Sequence, residues 1–190
     1  MTGGIGAGKS EALKALGELG AATLSTDAVV HELYAEPEVV GLIVERLGEE
    51  VAPDGEVDRS LVAERVFADP QRREWLEGVL WPRVGQRMAA WKAEVDAADP
   101  APAAAVVEVP LLFESGMDAA FDHTIAVVAD EDVRERRAAE RGHAALASRA
   151  GRQLSQKEKS ERAEFVVRND GSLDELKQAL SRVLGTIGAT

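Results

Sequence analysis

Three features of the sequence predict an α/β fold with a parallel sheet flanked by helices. Two short β-branched segments, Ala105 to Val109 and Thr124 to Ala129, are apolar around their centres without alternation, as strands covered on both faces are. Stretches with helical periodicity separate the apolar segments, so strands and helices alternate along the chain. A glycine-rich turn, Gly3 to Ser10, runs straight into the first helical stretch.

The elements follow in order. Leu13, Leu16 and Leu19 recur at helical spacing, which predicts a helix over Lys9 to Leu19 stopped by Gly20. Ala21 to Ser25 is a short strand, and Asp27 opens a second helix through Tyr34. Val39 to Leu47 is helical, and Ala52-Pro53-Asp54-Gly55 is a turn by its chemistry. Asp58 caps a helix through Phe67, and Asp69-Pro70 starts a longer one to about Ala97. After the break at residues 98–102 come the two central strands. Arg134 to about Ala163 reads as one charged helical stretch, Phe165 to Arg168 as a last strand, and Leu173 to Leu184 as the closing helix. Two blocks, roughly 30–97 and 134–163, interrupt the strand-helix alternation.

At 190 residues the chain can bury one substantial core. Its net charge of −12, from 22 basic and 34 acidic residues, argues against nucleic acid or an anionic membrane as a partner. There is no cysteine, and the three histidines, His31, His123 and His143, are scattered, so a metal centre of nitrogen and sulfur ligands is not expected. No apolar run approaches membrane-spanning length, and no basic stretch followed by an apolar run opens the chain. The expectation is a cytoplasmic enzyme that uses oxygen ligands, as a monomer or small homo-oligomer.

Gly3-Gly4-Ile5-Gly6-Ala7-Gly8-Lys9-Ser10 fits G-x-x-x-x-G-K-[ST] at every fixed position. The glycines let successive backbone N–H groups converge on phosphate oxygens, and the helix that follows adds the positive end of its dipole. Lys9 is placed to reach the β- and γ-phosphates of ATP, and the Ser10 hydroxyl to ligate Mg²⁺. Lys9 stands where a dinucleotide-binding G-x-G-x-x-G would need its third glycine. The N-K-x-D and D-x-x-G strings of a regulatory GTPase are absent, which leaves the small-molecule kinases. Between Arg134 and Arg168 ten Lys/Arg face five Glu, a local charge of +5. Arg137 and Arg141, four apart on one helical face, could clamp one polyphosphate as part of a lid. A solvated helix laced with Glu–Arg pairs is the other reading of that block.

These residues resemble bacterial dephospho-coenzyme A kinase over nearly the whole chain. The specific pieces are Thr2-Gly3-Gly4-Ile5-Gly6-Ala7-Gly8-Lys9-Ser10 and Pro110-Leu111-Leu112-Phe113-Glu114-Ser115-Gly116. Asp27 to Leu33, Gly55 to Arg59, Val66-Phe67 and Asn169 to Ser172 support them. The resemblance implies a P-loop kinase core (about 1–29, 103–133 and 164–190), a helical substrate-binding insertion (about 30–97) and a lid (about 134–163). It implies that Gly6, Ala7, Gly8, Lys9, Ser10 and Glu11 contact ATP with Arg137 and Arg141 of the lid. It further implies that the 110–116 loop, through Leu112, Phe113 and Glu114, and the insertion shape the pocket for dephospho-coenzyme A. Asp27, at the end of a strand, is expected to accept a hydrogen bond from the acceptor ribose 3′-hydroxyl as general base, a plain helix cap being the alternative. Glu108, at the end of another strand, falls where such kinases place an acid near the Mg²⁺ shell, or is an exposed strand-end carboxylate.

Two positions depart from the family pattern. It usually has Asp-x-Asp where Ser25-Thr26-Asp27 stands, so the first carboxylate is absent, and it favours histidine where Trp81 stands. Tryptophan neither accepts a hydrogen bond nor titrates, so Trp81 is read as packing. Only Met1 and Thr2 precede Gly3, against a usual strand of about 5–6 residues, which sets the expectation of a missing or truncated N-terminal strand and an earlier natural start. Other open readings are a nucleotide or nucleoside kinase and a catalytically impaired nucleotide-binding regulatory protein.

Overall fold

The computed structural model describes residues 1–67, 69–140 and 153–188. The chain divides into two compact units, residues 1–25 with 95–190, and residues 26–94.

Among the described residues the first unit holds five strands: β1 (Thr2–Gly3), β2 (Ala22–Ser25), β3 (Ala105–Glu108), β4 (Ile125–Val128) and β5 (Phe165–Arg168). Every strand pair is parallel, in the orders β1-β4-β5 and β2-β3. β3 is buried beyond its first residue and β4 throughout, as their unalternating sequences predict. β5 lies at an edge and alternates, with Val167 at 2% exposure beside Val166 at 47%.

Although β1 is only two residues long, Met1 joins the two sets of strands. Its amino group donates to the Val107 carbonyl at 2.7 Å, and its carbonyl accepts from the Val109 N–H at 2.9 Å. The amino group thus takes the place of a ladder N–H. Burial pushes its pKa down to about 6.

Helix α1 (Lys9–Glu18) covers the sheet with Ala12, Ala15 and Leu16 buried. The last helix of the described residues, which we number α8 (Leu173–Ile187), packs Leu176, Leu180, Val183 and Leu184 into the same core. Lys177 and Glu18 tie the two helices at 2.6 Å.

The charged stretch expected to form one helix does not. Helix α6 (Glu131–Glu140) starts three residues earlier than expected, and α7 (Gln156–Arg162) is a separate helix. Ser155 stops any continuous helix there, because its backbone is extended and it forms a reciprocal capping box with Glu158. Bonds from Ser155, side chain first, hold the Glu158 carboxyl below its ordinary range.

On α7 the side chain of Lys159 is fully buried. Its three protons all find acceptors: the Pro110 carbonyl at 2.6 Å, Glu114 Oε1 at 2.9 Å and Thr2 Oγ1 at 3.3 Å. One ammonium thereby ties α7 to β1, which feeds the glycine loop, and to the loop after β3. Removing one partner of a buried pair strands the other, so Lys159→Met is expected to lower stability by about 3–5 kcal/mol in urea unfolding. A loss under about 1 kcal/mol would show that the pair is already well solvated.

The second unit is helical. It contains α2 (Thr26–Leu33), α3 (Pro37–Leu47), a 3₁₀ turn (Glu49–Val51) and α4 (Arg59–Phe67), and α5 (Pro70–Asp96) leads out of it. Val39, Ile43 and Leu47 on α3, and Leu76, Leu80 and Val84 on α5, recur every four residues and are buried. Asp58 Oδ1 accepts from the Ser60 and Leu61 N–H groups, and Asp69 Oδ1 from those of Gln71 and Arg72, so both start α4 and α5 as expected. Trp81 is not a packing residue. It follows Leu80 off the buried stripe and is 51% exposed.

Candidate active site

The site grows from the turn between β1 and α1. Gly6 and Gly8 have φ of 76° and 87°, left-handed values that side chains disfavour. Both also leave room for neighbours: a Cβ on Gly6 would sit 2.6 Å from the Arg134 carbonyl, and one on Gly8 would fall on the Asn169 amide. Gly8 is the residue from which α1 starts, so the N–H groups of the first turn open toward the loop. Lys9 folds back over it, donating from Nζ to the Gly4 carbonyl at 3.2 Å. Ser10 and Glu11 follow on the exposed side of α1.

Two further segments close on this loop. Arg134 Nε donates to the Ile5 carbonyl at 2.8 Å, while its Nη1 pairs with Glu131 at 2.6 Å. Asn169, 6% exposed, donates from its side chain to the Ala7 carbonyl at 2.9 Å. Arg137 Nη1 in turn donates to the Asn169 carbonyl at 2.9 Å. A cleft of about 120 Å³ opens beside Gly8, with Glu11, Arg137 and Asn169 on its polar side and Leu173 and Leu176 on its apolar side. Arg137 therefore reaches the glycine loop; Arg141, its expected partner, lies outside the described residues.

A second group forms at the ends of β2 and β3, whose register sets Ser25 opposite Glu108. Ser25 Oγ donates to Glu108 Oε2 at 3.0 Å, and Glu108 is 5% exposed, so it is not the exposed strand-end carboxylate of the second reading. Serine gives a neutral donor where the aspartate of the resemblance would set a second carboxylate against the first. Asp27 comes two residues after β2, inside the first turn of α2 rather than at its cap, because the helix begins at Thr26. Its exposed carboxylate makes no hydrogen bond to another described residue.

In the loop after β3, Leu112 and Phe113 are buried at 0% and 8% exposure. Their side chains are packed inside the protein rather than free at the surface. Glu114 Oε1 pairs with Lys159 and accepts from the Leu154 N–H at 2.8 Å, whereas Glu114 Oε2 is buried with no hydrogen-bond partner among the described residues. That oxygen is an acceptor left open for a donor from elsewhere.

An arrangement of this kind can hold a polyphosphate at the glycine loop, neutralise it with Lys9 and Arg137, and present carboxylates at strand ends. Among the described residues no group of three or more His, Asp or Glu could cage a metal ion. The available donors, the Ser10 hydroxyl and carboxylate oxygens, suit Mg²⁺ bound mainly through phosphates and water. Arg134 and Asn169 were missed as loop contacts by the sequence reading. Their signals were an arginine one turn before Arg137 and the Asn-Asp-Gly that ends β5.

Residues 1–175 match the family model described as dephospho-CoA kinase. A dephospho-CoA kinase of Protochlamydia amoebophila is 38% identical, over 95% of this chain and 91% of its own length. One of Deinococcus radiodurans is 36% identical, over 100% and 92%. A crystal structure from Thermus thermophilus superposes with a TM-score of 0.81 at 33% identity, covering 98% of this chain and 95% of that one. A Campylobacter jejuni dephospho-CoA kinase structure, at 22% identity and a TM-score of 0.64 over 99% and 95% of the two chains, shares the fold.

Proposed function

The chain belongs to the dephospho-CoA kinase family, and from that premise we propose how its own residues carry out the transfer. The reaction moves the γ-phosphoryl group of ATP to the ribose 3′-hydroxyl of dephospho-coenzyme A, the last step of coenzyme A biosynthesis. Family membership favours this over a nucleotide or nucleoside kinase and over an impaired regulatory protein.

The observation that carries the proposal is the glycine loop with Lys9 folded over it and Arg134 and Asn169 holding its carbonyls. Gly6, Ala7, Gly8, Lys9, Ser10 and Glu11 bind ATP, with phosphate oxygens on the loop N–H groups. The cleft between Arg137 and Leu173 takes the nucleoside end. Lys9 neutralises charge that shifts toward the β–γ bridge as that bond breaks. Asp27 accepts the proton of the 3′-hydroxyl as its oxygen bonds to phosphorus; its open carboxylate supports this over a capping role. Leu112, Phe113 and Glu114 belong to the acceptor pocket, where Glu114 Oε2, without a partner among the described residues, can take a hydrogen bond from the substrate.

Mg²⁺, held by the Ser10 hydroxyl with Glu108 near its water shell, would supply charge neutralisation across the β- and γ-phosphates. Residues 30–97 act as the substrate-binding insertion and 134–163 as the lid on a core made of the rest. We place the enzyme in the cytoplasm as a monomer or small homo-oligomer that binds no nucleic acid, which the net charge of −12 supports. Among the described residues no helix is long and apolar enough to cross a membrane.

The lid is tested by a double-mutant cycle. Arg137→Ala and Arg141→Ala are each expected to raise the KM for ATP about tenfold or more. The double variant should do little worse, because both guanidinium groups hold one polyphosphate. Small, independent effects would instead favour a solvated helix.

A further inference from the structure

We propose that Ser25 is a positioning residue for phosphoryl transfer, acting through Glu108; this rests on the reading of Glu108 as an acid beside the phosphates. Parallel pairing makes Ser25 and Glu108 the last partners of β2 and β3, so the two backbones fix where their side chains meet. Ser25 Oγ gives its one proton to Glu108 Oε2 at 3.0 Å. At 5% exposure Glu108 has little water to orient it, and a donor on one carboxylate oxygen fixes the plane of the group and the direction of the other.

Serine at this position has a definite consequence for charge. An aspartate would place a second carboxylate against Glu108, and two carboxylates at hydrogen-bonding distance share a proton or repel. Serine leaves one oriented carboxylate, with a single negative charge, at the end of the β2–β3 pair. Threonine keeps the hydroxyl on a side chain suited to a strand, whereas alanine removes the donor with little loss of volume.

The test compares Ser25→Ala, Ser25→Thr, Glu108→Gln and Ser25→Ala/Glu108→Gln for kcat, both KM values, thermal midpoint and calorimetric ATP affinity with and without Mg²⁺. A hydrogen bond to a charged group predicts that Ser25→Ala lowers kcat about 10- to 100-fold. Both KM values, the ATP affinity and its response to Mg²⁺ should stay within about threefold, which a general loosening of the fold would not leave intact. Ser25→Thr should restore kcat to within about threefold of the parent, and Ser25→Ala should add less than about threefold in the Glu108→Gln background. A kcat for Ser25→Ala within about twofold of the parent, failure of threonine to restore it, or equal losses in both backgrounds would overturn the proposal. An inert Glu108→Gln would remove the reading of Glu108 and the proposal with it. An impaired Glu108→Gln beside an unaffected Ser25→Ala would remove the role of Ser25 alone.

Discussion

Lys9→Ala is expected to abolish measurable phosphoryl transfer, a loss in kcat of about 10³-fold or more, in a protein that still folds. In the structure Lys9 donates from Nζ to the Gly4 carbonyl of its own loop at 3.2 Å, on a partly buried side chain. Losing that bond removes about 1 kcal/mol of stability. In the proposed role the rate effect is far larger, because the ammonium would face charge that grows as the β–γ bridge breaks. No other lysine of the loop can replace it, since Lys14 follows more than a helical turn later. Steady-state kinetics together with a thermal unfolding curve separate the two effects. Near-normal kcat in a folded variant would remove Lys9 from the phosphate site.

The second large effect falls on the acceptor side. Asp27→Asn keeps the size of the side chain and removes its capacity to take a proton, and kcat is expected to fall about 10²–10³-fold. ATP affinity, measured by calorimetry, should change little, because the proposed nucleotide loop lies between β1 and α1 while Asp27 sits in the first turn of α2. Loss of transfer below about tenfold would make Asp27 a surface carboxylate, since it neither caps α2 nor bonds another described residue.

The strands and most helices were legible because their signals are local. Val106 and Val107, and Ile125 to Val128, read as buried strands from apolar runs alone, and several helices carried a local boundary signal, such as Gly20 after α1 and Asp58 before α4. The division of the charged stretch into α6 and α7 had a signal too, in Ser155-x-x-Glu158, but the density of Lys and Arg around it suggested unbroken helix. Ser172-x-x-Glu175 repeats the same box at the start of α8, where the preceding Asn-Asp-Gly made the boundary plain.

Around the glycine loop, the left-handed turns at Gly6 and Gly8 and the fold-back of Lys9 onto Gly4 involve residues adjacent in sequence, so their spacing signals them locally. The partners that hold the loop are not signalled in this way, because they come from far along the chain. Asn169 meets Ala7 across 162 positions and Arg134 meets Ile5 across 129, and only the strand order brings them together. Lys159 illustrates the limit most sharply. In sequence it is one more cation on a charged helix, yet its side chain is fully buried against Thr2, Pro110 and Glu114. The Ser25–Glu108 bond was equally hidden. Serine in place of the expected aspartate reads as a loss until the register shows that its hydroxyl faces a buried carboxylate.

The most direct measurement incubates the purified protein with ATP, Mg²⁺ and a panel of hydroxyl acceptors and reads the products by mass spectrometry. Dephospho-coenzyme A should be converted to coenzyme A with one ADP formed for each, while nucleosides and nucleoside monophosphates remain unchanged. Phosphorylation of a nucleoside or nucleotide in preference to dephospho-coenzyme A, or ATP bound tightly with no acceptor-dependent turnover, would contradict the assignment.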